Sequence, residues 1–355
     1  MKISVLFDGA SALGASPDLQ ILETVEAIEE VLRAEGHRMS RIPVYLDGKW
    51  IERVRRAAPD LVFNLCEGID GLAMLEPAVI GVLELLGIPY TGSSSWTTAL
   101  CLRKAHTNSL LHRAGLPVPP WGVAMRGGPL PSVGFPAICK PAAEDASIGV
   151  EQSSVVRTVR ELAARVEAMH ARWDEVLVQR FVDGREVNVG LLGDEVLPLA
   201  EIDFSDLPKE CWRIVSYRSK WIEGSDEDLG TRPRCPARLP PGVGRQVKRI
   251  AQRAWAVVGG AGYGRVDMRV DASGTPWILE VNANPDIAPD AGLARMARAS
   301  GRDYADLIRR VCDLAAERRT VEPDEAWALA AQLSGAGAAA VAAADDDERL
   351  AVNQS

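Results

Sequence analysis

Two short stretches in the last third of the chain hold the residue types best suited to chemistry: Gly264-Arg265-Val266-Asp267, then Glu280-Val281-Asn282. Residues two apart on an extended run share a face, so Glu280 stands with Asn282 and Arg265 with Asp267. If the two runs pair as antiparallel strands around the turn Asp271–Gly274, Asp267, Glu280 and Asn282 converge on one surface beside Arg265. Two carboxylates and an amide oxygen are hard ligands suited to Mg²⁺ bridging triphosphate oxygens. The guanidinium can stabilise negative charge that develops nearby. Either acid alone would read as a solvated charge on an ordinary hairpin. Together, in the otherwise apolar WILEVNANP, they favour a metal site.

Three lysines stand beside loops. Lys104 opens a helix, Lys140 ends a strand directly before AAEDASIG, and Lys220 sits in an irregular segment. Small residues and Gly149 let backbone N–H groups approach phosphate oxygens while lysines supply point charges. Each lysine alone reads as a surface residue. The pattern GxxxxGK[ST] is absent, and DGASALG near the start lacks the GxGxxG fingerprint. There is no GxSxG elbow and no HExxH, and the four histidines (37, 106, 112 and 170) lie in or beside helical stretches as solvated or capping residues.

These residues need a scaffold. Ile3–Phe7 and Asp60–Leu65 are short buried strands, with a small-residue loop, 10–17, after the first. Ile21, Leu22, Val25, Ile28 and Leu32 mark a core-facing helix that Gly36 ends. A third βα unit spans Pro77–Leu86 and GIPYTG, so the first hundred residues read as an α/β domain with a parallel sheet. Leu100–Gly115 is a helix, Phe135–Lys140 a strand, and Val159, Leu162, Val166 and Met169 mark another helix. Glu175–Phe181 and Glu186–Leu192 flank Asp183-Gly184, a hairpin signal. Gly264–Val270 and Pro276–Asn282 form a second hairpin, and Gly301 separates two final helices. Residues 319–355 are Ala-rich and polar and read as a mobile tail.

Composition narrows the function. The net charge of −9, without a long Lys/Arg cluster, argues against a nucleic-acid surface but not against a nucleotide. No apolar run approaches the roughly 20 residues that span a bilayer, and the first residues read as a strand rather than a signal peptide. The six cysteines (66, 101, 139, 211, 235 and 312) show no CxxC pair and no His at ligand spacing, which fits reduced thiols in a cytoplasmic protein.

The order of these features resembles the ATP-grasp superfamily, and most closely the D-alanine–D-alanine ligases, over roughly residues 1–317. The matching segments are DLVFN, LELLGIPYTGS, ALCLRKAHTNSLLHRAGLPVPPW, ICKPAAEDASIGV, VQRFVDGREVNVGLLGDEVLP and GYGRVDMRVDASGTPWILEVNANP. The resemblance implies a mixed α/β ATP-grasp fold behind a Rossmann-like N-terminal domain. Its divisions would be 1–100 for substrate, 101–185 for a central lid, 186–318 for catalysis and 319–355 for the tail. It further implies that Lys104, Lys140 and Ser147 bind ATP phosphates, and that Gln179, Arg180, Phe181 and Val182 line the adenine. Glu186 would take the ribose hydroxyls, and Lys220 would sit near the γ-phosphate. Asp267, Glu280 and Asn282 would hold two Mg²⁺ ions, with Mn²⁺ as a substitute. The implied reaction is attack of a carboxylate on the γ-phosphate, giving an acyl-phosphate, then attack of an amine on that carbonyl with Arg265 stabilising the oxyanion. Many such enzymes are homodimers, and the long segment Asp203–Glu227 would be the moving lid.

Departures gather on the substrate side. The family's Ser-x-Glu-Arg-x-Val-Ser loop reads GASALGASPDLQ here, without the Glu. Ala146 stands where the glycine-rich loop has Ser, Lys220-Trp221 replaces Lys-Tyr, and Glu67-Gly68 replaces His-Gly. Pro-Gly-Met-Thr becomes NPDIAPDAG, with Ala291 in place of a carboxylate-binding Ser. Losing donors and gaining Asp286 and Asp290 disfavours an anionic amino-acid tail. The expectation is an ADP-forming ligase for another substrate pair, with Glu67, Trp221, Asp286 and Asp290 as candidate substrate contacts and a cationic group recognised by the acids. Against this stands Asp290 as a cap for the helix near Gly292. The alternatives are a genuine D-alanine–D-alanine ligase and a non-catalytic ATP-binding module.

Overall fold

The computed structural model describes residues 1–12 and 21–318, so most of the 10–17 loop and the whole 319–355 stretch lie outside the described residues. β1 (Lys2–Asp8) is buried from Ile3 onward, the pattern of a strand covered on both faces. α1 (Gly9–Ala12) and α2 (Ile21–Ala34) lead to β2 (Arg38–Val44), and α3 (Lys49–Ala57) leads to β3 (Leu61–Asn64). The three strands pair in parallel in the order β2-β1-β3, as the alternation of strand and helix requires. α2 buries Ile21, Val25, Ile28 and Leu32. Leu22, expected on the same stripe, is exposed instead, because one residue turns the helix by about 100°. Gly36, at φ 81°, closes the helix with its N–H on the Arg33 carbonyl.

α4 (Glu76–Leu85) is followed by α5 (Ser95–Leu102) and α6 (Lys104–Arg113). The single helix expected over Leu100–Gly115 is thus two. Arg103 leaves helical geometry at ψ 81°, and the Lys104 N–H bonds the Ala142 carbonyl at 3.1 Å. That break gives Lys104 the first position of α6 and ties it to the next sheet.

The next sheet comprises β4 (Trp121–Met125), β5 (Ala137–Pro141), β6 (Val155–Val156) and β7 (Glu175–Arg180), with α7 (Val159–Met169) against one face. The order is β4-β7-β5-β6, antiparallel throughout. Leu162, Val166 and Met169 pack on Cys139, Val176 and Val178. The strand alternation therefore sends Ile138, Lys140 and Gln179 to the opposite face. His170 closes α7 buried, its ring Nδ1 3.0 Å from the Trp173 carbonyl, rather than solvated.

The remaining elements are β8 (Arg185–Leu192), β9 (Glu195–Val196), β10 (Ala200–Asp203), α8 (Tyr217–Trp221), α9 (Asp226–Leu229), β11 (Arg232–Arg234), α10 (Pro241–Val257), β12 (Tyr263–Val270), β13 (Pro276–Asn282), α11 (Gly292–Ala299) and α12 (Tyr304–Ala316). The sheet runs β11-β10-β8-β12-β13, with β9 on β8. α10 packs Val247, Ile250 and Ala254 against Val187, Val266, Met268 and Val281, leaving the polar alternates on the other face.

The hairpin expected at Asp183-Gly184 does not form. β7 and β8 belong to different sheets, and residues 181–184 are the passage between them. β8 is taken by β12 over eight register pairs, from Tyr263↔Leu192 to Val270↔Arg185. Gly184 fits because a Cβ there would lie 2.1 Å from the Val270 carbonyl oxygen. All six cysteines are unbridged, and no described helix is long and apolar enough to cross a membrane.

Candidate active site

β12 and β13 pair as the sequence requires, with Arg265 opposite Asn282 and Asp267 opposite Glu280. A bulge follows Asp267, so Met268 pairs Ile278 and Leu279 has no opposite residue. All four polar side chains therefore stand on the face away from α10. Arg265 grips Asp267 in a fork, Nε to Oδ1 at 2.8 Å and Nη2 to Oδ2 at 2.9 Å. Burial works to discharge Arg265, but Asp267 first, then Glu280 and Asp286, hold its pKa above the usual guanidinium value. Asn188 on β8 donates to Asp267 Oδ1 at 2.7 Å. Sequence reading missed Asn188, although it stands two residues after Glu186 on the same strand face.

The two lysines come from other elements. Lys104 Nζ bonds Asp145 at 2.8 Å and the Glu144 carbonyl, and lies 3.6 Å from Glu280 Oε2. Burial opposes its charge, but Asp145 and Glu280 prevail and raise its pKa. Lys140 projects from β5 on the face away from α7. There burial, helped by Lys104, pulls its pKa down against the acids Glu280, Glu186 and Asp267. Glu280 itself is pushed up: burial comes first and Asp145 adds to it, outweighing the lysines. Lys104 from the start of α6 and Lys140 from β5 thus lie near Glu280 on β13, with Asp145 of the loop after β5 as a second acid.

Asn282 Oδ1 accepts from the Asn284 N–H at 2.9 Å, and both Asp267 oxygens are engaged as described. Among the described residues no three His, Cys, Asp or Glu side chains stand together as a metal cage. Two carboxylates and an amide oxygen on one face still suit an ion that completes its shell with ligand phosphates and water, the usual habit of Mg²⁺.

At the other end of the cleft Gln179 is buried and its Nε2 has no hydrogen-bond partner. A buried amide N–H left this way costs about 1–3 kcal/mol, so the position fits a group that meets a ligand acceptor. Phe181 is buried edge-on to Trp212, with centroids 5.2 Å apart. Arg180 points the other way and is exposed; only its backbone is engaged, its N–H on the Pro120 carbonyl at 2.8 Å. Glu186 is paired with Arg269, which sequence reading did not single out, at 2.8 Å.

Lys220 and Trp221 lie on α8, a short helix in place of the irregular segment expected there. Ser216 caps it by accepting from the Ser219 N–H. Trp221 Nε1 donates to the Ala146 carbonyl at 2.9 Å, and Ser147 donates its hydroxyl to the Val215 carbonyl at 3.0 Å. Ala146 and Ser147 both adopt left-handed φ, 56° and 61°, to make that junction. The glycine-rich loop and α8 together roof a cavity of about 770 Å³, lined among others by Glu67, Lys220, Trp221 and Asp286. Asp290 is not part of it. Its backbone carbonyl accepts from Arg295, and it does not cap α11, whose N-cap is Ala291 with no side-chain bond.

A family model described as the D-ala D-ala ligase C-terminus matches residues 110–313. The D-alanine–D-alanine ligase of Gluconobacter oxydans is 36% identical over 314 residues, 86% of this chain and 96% of that protein. That of Geotalea uraniireducens is 33% identical over 320 residues, 89% and 96% respectively. The crystal structure of D-alanine–D-alanine ligase from Bacillus anthracis complexed with ATP superposes with a TM-score of 0.72 at 22% identity, over 89% of this chain and 97% of that one.

Proposed function

The chain belongs to the D-alanine–D-alanine ligase family of the ATP-grasp fold, and from that premise we propose how its residues join a carboxylate to an amine. It is an ADP-forming carbon–nitrogen ligase that uses ATP and a divalent metal. The observation that carries the assignment of residues is the meeting of Lys104, at the start of α6, with Glu280 on β13, with Lys140 of β5 near enough to feel the same carboxylate.

In this reading the lobes divide near residues 100 and 185, and ATP lies in the cleft between the sheets. Lys104 and Lys140 hold its phosphates, Gln179 and the 181–182 backbone face the base, and Glu186 faces the ribose. Asp267, Glu280 and Asn282 would hold Mg²⁺, which supplies charge neutralisation for phosphoryl transfer. Arg265, kept charged by Asp267, stabilises the oxyanion formed when the amine attacks the acyl-phosphate. Lys220 and Trp221, joined to the glycine-rich loop through Ala146, close the cavity and exclude water.

For the substrates, relatives named D-alanine–D-alanine ligase at 30–36% identity favour two D-alanines over the different pair expected from the pocket departures. One observation favours a second reading: Asp286 and Glu67 line the cavity and suit a substrate with an added cationic group.

The test is Mg²⁺- and ATP-dependent ADP release with D-alanine alone and with a panel of amino acids, dipeptides and polyamines. Turnover with D-alanine alone upholds the first reading. Turnover only with a cationic partner upholds the second, and no ADP release with any acceptor would sink both.

A further inference from the structure

The proposed ligase chemistry leaves one buried cation unused. Arg269 stands opposite Glu186 in the β12–β8 register, with a side chain 3% exposed. Its Nε and Nη2 both donate to one carboxylate oxygen, Glu186 Oε2, at 3.2 and 2.8 Å. Nη1 reaches the carbonyls of Val182 and Gly184 at 3.4 Å each, and Nη2 also bonds the Arg213 carbonyl. The guanidinium carbon lies 5.4 Å from the Phe181 ring centroid and 5.5 Å from that of Phe204.

Two features of this arrangement point past a simple structural ion pair. Both charged bonds fall on Oε2 and neither on Oε1, which fixes the carboxylate's orientation. Two of the carbonyls that Arg269 holds, those of Val182 and Gly184, belong to the passage between the two sheets, so the same side chain locates Glu186 relative to β7. A carboxylate that must accept from a ribose hydroxyl gains affinity when its rotamer is fixed beforehand, because less entropy is lost on binding.

We propose that Arg269 is a positioning residue for the nucleotide's ribose, acting through Glu186. It holds Oε2 so that Oε1 is presented to a ribose hydroxyl, and it registers that contact to the link between the sheets. The inference rests on the nucleotide reading of the cleft given above.

The experiment uses the full chain and calorimetric titration with ADP, 2′-deoxyADP and 3′-deoxyADP, so that no knowledge of the carboxylate or amine is needed. The unmodified protein binds ADP about tenfold more tightly than at least one deoxy analogue, the usual worth of one charge-assisted hydrogen bond. Arg269→Leu brings the dissociation constants for ADP and that analogue to within about twofold of each other, as Glu186→Gln also does. Arg269→Lys keeps an intermediate ratio, because an ammonium holds the carboxylate without the fork. A merely structural role would weaken all three ligands equally and leave the ratio unchanged. An unchanged ratio in folded Arg269→Leu overturns the proposal while the ribose reading of Glu186 stands. If that variant does not fold, an unaltered ratio in Arg269→Lys has the same force. Should the unmodified protein not distinguish ADP from either analogue, the ribose reading itself falls and the inference falls with it.

Discussion

The ammonium of Lys104, at the first turn of α6, lies 3.6 Å from the carboxylate of Glu280 on β13 and 2.8 Å from that of Asp145. One buried cation therefore serves two acids that would otherwise repel each other. Lys104→Met leaves Asp145 without its ion pair and Glu280 with Lys140 alone. The unligated protein should lose on the order of 3 kcal/mol, the low end for breaking a buried pair, since Asp145 keeps 28% exposure. Urea unfolding measures this, and an unshifted midpoint would count against the charge balance described.

Asp267, Glu280 and Asn282 share a face, and the first two are the stronger ligands. Asp267→Asn and Glu280→Gln should each lower Mg²⁺-dependent ADP release by about a hundredfold or more, as loss of a main electrostatic stabiliser does. Asn188→Ala removes only the bond that orients Asp267 and should weaken apparent Mg²⁺ affinity about tenfold. Equal metal titrations in parent and Asn188→Ala would assign Asn188 a packing role alone.

Glu76 is buried beneath this region, its Oε1 accepting from Asn284 Nδ2 at 3.0 Å. Burial first, then the charges of Asp145 and Glu67, push its pKa well above the usual carboxyl value, against the Asn284 bond. The native state therefore keeps a proton that the unfolded chain releases above about pH 4.3. The stability Glu76 contributes is complete below that pH and is lost as pH rises toward the folded pKa, by about 1.4 kcal/mol per unit. Glu76→Gln keeps the acceptor for Asn284 without the titration. It should match the parent protein near pH 4.5 and exceed it at pH 8 in chemical denaturation, and a variant weaker at both pH values would refute the assignment.

Asp286 and Asp290 give a paired test of the cavity. Asp286 lines it while Asp290 lies outside. If a cationic substrate group is bound, Asp286→Asn should raise that substrate's KM about tenfold, the loss of one charge-assisted bond, and Asp290→Asn should leave it unchanged. If the substrates are two D-alanines, neither change should move KM by more than about twofold, and equal effects of both would mean long-range charge rather than contact.

The strand-face geometry of the candidate site was legible in advance. The Arg265, Asp267, Glu280 and Asn282 set could be placed because a hairpin with a short turn has strict period-two geometry. The parallel first sheet followed from an equally local signal, the alternation of strand and helix. Asp183-Gly184 misled because a turn signal reports only local backbone. Capture of β8 by β12 is a contact between distant segments, and it decided against the hairpin. The cap proposed for Asp290 failed by one residue, within the usual uncertainty of a helix end.

The sequence by itself determined the family, through its run of matching segments, and the mixed α/β order and the residue types on each strand face, which rest on short-range periodicity. Only the tertiary structure decided which charges meet. Lys104 and Lys140 facing Glu280, Asn188 holding Asp267, and Arg269 holding Glu186 each join side chains from different elements. No spacing along the chain encodes such contacts; they follow from how separate elements are brought together by non-local apolar burial.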